Sequence, residues 1–244
     1  MLFVVNLDSA TDRRQRMAAQ LAHLGLAWER VGYDGRRVPH PAIAAFARAH
    51  FPPLEFDFAS LSGAEIGCWI SHLQAWRRLV TSATAPACAV LEDDLLLDAS
   101  LPAALGDLAT GHELDLVYLG TSSRNISTRQ RVQVGGCTVH APVGTVLNTW
   151  GYVVQRGYAQ RFLATPRRIR LPIDRHLGRG RPHGGPRVGV LRPAAVHEDP
   201  ALGVRSQIAP HTFRADRWRV VDAGRRWLLG SRMSDLYYAM YRWL

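Results

Sequence analysis

Lysine is absent: all thirty basic residues of this 244-residue chain are arginine. That removes a Walker A phosphate loop, a pyridoxal Schiff base and a lysine nucleophile from the chemistry available. Cysteine is scarce. Cys68, Cys88 and Cys137 are an odd count without paired metal-ligand spacing, which excludes a disulfide framework and a zinc ribbon and predicts reduced, packed thiols. No run of about eighteen apolar residues occurs, so no membrane-spanning helix is expected. The opening MLFVVNLD has no basic region ahead of its apolar residues and no small-residue cleavage site. It reads as a first strand rather than an export signal, and the sequon Asn125-Ile126-Ser127 carries no weight in such a chain.

What is present is the composition of a folded domain, with 47% apolar and 9% aromatic residues. One catalytic domain over residues 1–211 and a tail over 212–244 are expected. The charge is uneven. Residues 1–123 hold nine arginines against fourteen acids, and residues 124–244 hold twenty-one against six. Because every cation is arginine, a compositional habit of the genome accounts for part of the basicity, and charge alone does not imply a nucleic-acid partner.

Leu2-Phe3-Val4-Val5 has the continuous apolar character of a buried parallel strand. Met17, Leu21 and Leu24 recur at helical spacing, with Gly25 at the C-terminal cap, and residues 28–33 read as a second strand. Strand, helix, strand is the opening of an α/β sheet. Ser62-Gly63-Ala64-Glu65 is an S-x-x-E capping box that starts a helix to about Val80, and Ile66, Trp69, Ile70, Leu73, Trp76 and Leu79 fall near one face of it. Further strands are expected at 87–91, 114–119, 152–155 and 188–191, and a short helix at 158–163. Residues 165–187, rich in Arg, Gly and Pro, read as a loop with at most one short helix and as a candidate substrate lid. Residues 212–244 carry Trp218, Trp227, Leu228, Tyr237, Tyr238, Tyr241 and Trp243 among seven arginines, the pattern of a basic amphipathic surface helix.

The strand at 87–91 runs directly into Glu92-Asp93-Asp94, and ligands of open α/β sheets bind beyond such strand ends. Adjacent carboxylates repel, so gathering them is favourable when a cation or strong donors neutralise them. A hard divalent ion such as Mn²⁺ or Mg²⁺ takes oxygen ligands and leaves positions for substrate phosphate. If strand geometry persists, Glu92 and Asp94 point to one side and Asp93 to the other, making Asp94 the first choice of metal ligand with Glu92 beside it. The alternative is a solvated acidic loop that caps the helix following Asp98.

Four blocks together resemble glycosyltransferase family 25, the lipopolysaccharide-type β-galactosyltransferases related to the collagen galactosyltransferases. They are VVNLDSATDRRQRM at 4–17, LSGAEIGCWISHLQAW at 61–76, AVLEDD at 89–94, and NTWGYVVQRGYAQRFL with PID at 148–174. The resemblance implies a GT-A-type fold, a Rossmann-like open twisted sheet flanked by helices. It also implies a UDP-sugar donor, typically UDP-galactose, a divalent metal at the acidic triplet, and inversion at the anomeric carbon.

Carried onto this chain, it places Asn6, Asp8 and Arg13 near the nucleotide, with Asp8 as a helix cap the rival account. Glu65, Ser71 and His72 fall near the donor pocket, although Glu65 also suits the capping box and His72 a hydrogen-bonded core position. Asp93 joins the donor-binding set. Asp174 is the candidate base that takes the proton of the acceptor hydroxyl, or else the cap of a short helix. His197 stands where bacterial relatives often have glutamine; it is a candidate third metal ligand or a surface histidine beside two acids. Trp150 replaces the smaller residue expected and either reshapes the sugar pocket or packs in the core.

The expected partners are the nucleotide-sugar donor and a glycan or glycolipid acceptor such as a lipopolysaccharide core. An anionic membrane surface would receive the tail, the setting being the cytoplasmic side of the cytoplasmic membrane. Two other classes also use such residues. A metal-dependent phosphohydrolase or nucleotidyltransferase would release phosphate or pyrophosphate. A basic nucleic-acid-binding module would bind duplex salt-sensitively, but the acidic first half disfavours it.

Overall fold

In the computed structural model, which describes residues 1–122, 126–178 and 186–202, the chain opens with strand β1 (Leu2–Val5), helix α1 (Thr11–His23) and strand β2 (Glu29–Val31), as expected. Helix α1 buries Met17 and Leu21 and stops at Gly25, whose φ of +67° is open to glycine at little cost. The amide of Gly25 bonds the Ala22 carbonyl at 3.1 Å and that of Leu26 the Leu21 carbonyl at 2.9 Å, a Schellman closure of the helix end.

Helix α2 (His40–His50) is not anticipated by the sequence reading, nor is strand β3 (Leu54–Phe56). Helix α3 (Gly63–Thr81) starts on the predicted capping box. The Ser62 hydroxyl accepts from the Glu65 amide at 3.3 Å, and the Glu65 carboxylate accepts from the Ser62 amide at 2.8 Å. Strands β4 (Ala87–Glu92) and β5 (Leu95–Leu97), helix α4 (Leu101–Asp107) and strand β6 (Leu116–Gly120) follow. A hairpin of β7 (Ile126–Val134) and β8 (Cys137–Pro142) precedes β9 (Gly151–Gln155), helix α5 (Arg156–Ala164), β10 (Arg167–Ile169), helix α6 (Ile173–Gly178), β11 (Val188–Arg192) and β12 (Val196–Glu198).

The main sheet has eight strands in the order β2-β1-β4-β9-β6-β11-β8-β7. Six run one way; β9 lies antiparallel between β4 and β6, and β8 lies antiparallel between β11 and β7. Flanked by helices, this is the mixed α/β sheet expected of a GT-A-type domain. Small pairs β10-β3 and β12-β5 stand outside it.

One face of the sheet is covered by α3 and α5, where Trp69, Trp76 and Phe162 are buried; the other packs Met17, Leu21, Leu101 and Leu108. Each buried tryptophan removes about 200 Å² from water, an upper figure of about 5 kcal/mol before entropy is subtracted. Their ring N–H groups are satisfied: Trp69 donates to the Leu171 carbonyl at 2.8 Å and Trp76 to the Tyr152 hydroxyl at 3.0 Å. Helix α3 also lies against the Tyr33-to-Gly35 turn, because Gly67 has no side chain there; a Cβ would stand 2.7 Å from both the Gly35 nitrogen and the Tyr33 oxygen.

One reading changes. Residues 165–187 are not simply loop, since Arg167–Ile169 pairs in parallel with Leu54–Phe56 before α6 begins. The paired strand is itself unpredicted, which is why its partner is not seen from local composition. Residues 179–185 of the candidate lid, and the tail at 212–244, lie outside the described residues.

Candidate active site at the end of strand four

Strands β1 and β4 are parallel neighbours, so Asn6 and the acidic triplet emerge together at their carboxyl ends. The Asn6 side-chain amide donates to Asp93 Oδ2 at 2.6 Å and to the Ala10 carbonyl at 3.0 Å. From the first turn of α1, Arg13 Nη1 lies 3.2 Å from Asp93 Oδ1 and 3.2 Å from Asp94 Oδ2. The expected alternation therefore fails. Strand β4 ends at Glu92 and the chain bends, so Asp93 and Asp94 both meet Arg13, while Glu92 accepts the hydroxyl of Thr149.

Burial pushes the Glu92 carboxyl up to about 8, helped by the charges of Asp94, Asp174 and Asp93 and opposed by the Thr149 hydrogen bond. Asp94 is raised chiefly by burial, against the lowering effect of Arg13. Asp174, at the start of α6, is raised by burial as well, with the Arg175 and Asn148 amides bonded to its carboxylate. The charge of Asp174 registers on Glu92, and that of Glu65 on Asp174. The fold thus gathers five acids, from the end of β4 and the bend after it, from α3 and from α6, into one electrostatic neighbourhood. This is the arrangement that a bound cation or a proton would relieve.

The other expected residues divide. Asp8 is 88% exposed and pairs with Arg30 at 2.7 Å. It does not cap α1 either, whose cap position is Ala10 without a side-chain bond. Glu65 is 4% exposed and takes part in the capping box. Ser71 donates to the Gly67 carbonyl at 2.8 Å and accepts from the Tyr33 amide at 2.9 Å, tying α3 to the turn it packs against. His72 is fully buried beside Tyr152, 2.8 Å from its hydroxyl. His197 is exposed on β12 opposite Leu96, and its charge acts on Asp98, whereas the neighbouring Glu198 acts on Asp94. Trp150 packs into the core on the sheet face that carries Met17, Leu21, Leu101 and Leu108.

Three arginines of the lid segment have local partners. Arg167 lies over the Phe162 ring at 4.0 Å, and Arg168 and Arg170 approach Asp57 at 3.5 and 3.4 Å. Sequence reasoning misses Asn148 and Thr149, which bond Asp174 and Glu92. The available signal is slight: a polar pair just before the apolar strand Gly151–Gln155.

The residues suit a divalent ion only in a particular way. The donors are hard carboxylate oxygens, and Glu92 is desolvated among like charges with one hydroxyl partner. Among the described residues no group of three His, Cys, Asp or Glu is placed to hold a metal. The fit is therefore to an ion held by one or two carboxylates, Asp94 and Glu92, and completed by ligand oxygens.

Residues 1–177 match the family described as Glycosyltransferase family 25 (LPS biosynthesis protein). A Drosophila pseudoobscura protein named Glycosyltransferase 25 family member is 28% identical over 184 residues, covering 72% of this chain and 29% of its own length. The human Inactive glycosyltransferase 25 family member 3 is 28% identical over 185 residues, 72% and 31%. The zebrafish (Danio rerio) Procollagen galactosyltransferase 1 is 26% identical over 187 residues, 72% and 30%. The matched region spans about a third of the length of these relatives. With more than half of its residues matched, including every strand and helix that brings Asn6, Arg13 and the acidic triplet together, the chain belongs to glycosyltransferase family 25.

Proposed function

We propose that the chain is an active, metal-assisted galactosyltransferase that transfers galactose with inversion from UDP-galactose to a hydroxyl of a glycan acceptor such as a lipopolysaccharide core. The observation that carries this reading is the cluster of carboxyls at the end of β4, in which Asn6 and Arg13 hold Asp93, Arg13 also meets Asp94, and Thr149 holds Glu92. Mn²⁺ or Mg²⁺ held by Asp94 and Glu92 would neutralise the charge that develops on the departing diphosphate. Galactose is favoured by the zebrafish relative, which is named a procollagen galactosyltransferase.

In this reading Asp174 accepts the proton of the acceptor hydroxyl as that oxygen attacks the sugar. Its burial raises its basicity over an ordinary aspartate, and the amides of Asn148 and Arg175 hold its carboxylate in place. Asn6 fixes Asp93, and Arg13 joins Asp93 to Asp94, so the acids are positioned from two elements. The acceptor is placed on an anionic membrane surface because the second half of the sequence is basic and aromatic at its end.

A panel of UDP-sugars tests the reading, scored with Mn²⁺ for UDP release and for thermal stabilisation, since a bound ligand raises apparent stability by mass action. UDP-galactose is expected to give both. Release of inorganic phosphate instead of UDP would favour the phosphohydrolase, and no response to any sugar nucleotide would remove the transferase.

A further inference from the structure

Glu92 and Asp174 come from different elements, yet the same short segment bonds both. The Thr149 hydroxyl donates to Glu92 Oε1, and the Asn148 backbone amide bonds the Asp174 carboxylate. Asn148 has φ of +69°, one of the few conformations of its kind that asparagine adopts readily, and this turn lets consecutive residues serve two acids. The segment is itself held on every side. Val146 donates to the Gly178 carbonyl at 3.0 Å, at the end of α6, and the Thr121 hydroxyl donates to the Leu147 carbonyl at 2.8 Å. The Asn148 amide, oriented to satisfy its neighbours, donates to the Ser122 hydroxyl at 2.7 Å and accepts from Trp150 Nε1 at 3.2 Å. The Glu92 amide then donates to the Trp150 carbonyl at 2.8 Å, closing the circuit on β4.

From this geometry we infer that Thr149 is a positioning residue: its hydroxyl holds the Glu92 carboxylate in the orientation that receives a divalent cation and the diphosphate of a UDP-sugar. The inference rests on the transferase reading above and adds to it a side chain outside the acidic triplet. Thr149 is 3% exposed, too enclosed to serve as a solvent-facing contact, and its hydroxyl donates to the Glu92 carboxylate. A carboxylate ligand that is itself hydrogen-bonded keeps one oxygen occupied and presents the other, and losing such a partner commonly costs ten- to a hundredfold in metal affinity. The competing account is that Thr149 simply fills its place beneath the sheet end, in which case methyl and hydroxyl would be interchangeable.

Thr149→Val keeps the shape and removes the donor; Thr149→Ser keeps the donor and removes the methyl. UDP binding to the full chain, measured calorimetrically over a Mn²⁺ series, gives the Mn²⁺ concentration for half-maximal binding without relying on turnover. Thr149→Val is expected to raise it by roughly 10- to 100-fold, and Thr149→Ser to stay near the unsubstituted protein. On a Glu92→Gln background, Thr149→Val is expected to add little, because the two act as a unit. If Thr149→Val does not fold, Thr149→Ala removes the same donor without pressing a second methyl against Glu92 and is read the same way. Equal Mn²⁺ dependence in the Val and Ser variants, or losses that multiply with Glu92→Gln, would overturn the role of Thr149 alone. A failure of the unsubstituted protein to bind UDP with Mn²⁺ would instead overturn the transferase reading, and this inference with it.

Discussion

The Tyr152 hydroxyl lies 2.8 Å from Nδ1 of His72, with the two rings stacked at 13° in the centre of the domain. Trp76 donates to the same oxygen at 3.0 Å, and His72 Nε2 has no partner among the described residues. A histidine of the family motif is thereby a core residue that ties α3 to β9.

Burial holds His72 down at about 3, against 6.5 for an ordinary histidine. The unfolded chain takes up the proton first, so this contribution to stability is complete above pH 6.5 and is lost as pH falls from there toward 3. Between pH 7 and pH 5 the unsubstituted protein should lose about 2 kcal/mol more than His72→Phe in urea unfolding. Parallel losses in both proteins would show that His72 is not buried in its neutral form.

Asp94→Ala should lower UDP-galactose turnover by at least roughly a hundredfold, as expected for loss of transition-state charge stabilisation. Arg13 still has Asp93 to pair with in that variant, so the melting temperature should move little. Near-normal turnover would remove Asp94 from the chemistry.

Asp174→Asn should lower kcat by roughly 10²- to 10⁴-fold. A base works deprotonated, so kcat/KM of the unsubstituted enzyme should fall as pH drops through a value above the ordinary 3.8 of aspartate, and Asp174→Asn should lack that limb. An unchanged acid limb in the variant assigns the base elsewhere.

Ser62→Ala removes one side of the capping box on α3 and should cost about 1 kcal/mol in urea unfolding with kcat preserved. A large loss of kcat with stability intact would move Glu65 from the helix start to the substrate.

Gly67→Ala places a methyl 2.7 Å from backbone atoms of Tyr33 and Gly35, neither of which is a flexible side-chain end. The expected cost is about 1–3 kcal/mol, read from chemical denaturation. Unchanged stability would mean that the turn yields freely against α3.

The parts of this molecule that are legible in its sequence are those with local causes. Leu2–Val5 and Ala87–Glu92 are apolar runs with polar ends, and Ser62 with Glu65 satisfies the start of α3 within four residues. Strands of three residues, such as Leu54–Phe56 and Arg167–Ile169, exist because each pairs the other across the fold, so neither is visible alone. At the site, Glu92, Asp93 and Asp94 are legible from their place at a strand end, whereas Asn6 and Arg13 come only from the resemblance of the first block to the family. The orientation of Asp93 is not legible, because it depends on a bend after Glu92 and on an arginine from another element. Thr149 is hidden for the same reason: its partner Glu92 is fifty-seven positions away.

The reversed direction of β9 sets how this domain can be altered. Because Gly151 pairs with Leu91 and Gln155 with Ala87, the segment entering β9 arrives beside the acids, while the segment leaving it departs from the opposite rim. Swapping residues 143–150 for those of a relative would alter the end that carries the acids while the sheet itself stays as it is. Even a single added residue there would slide the amide of Asn148 and the hydroxyl of Thr149 past both carboxyls at once. Loop grafts into this domain should therefore preserve the length of that entry segment and vary only its side chains.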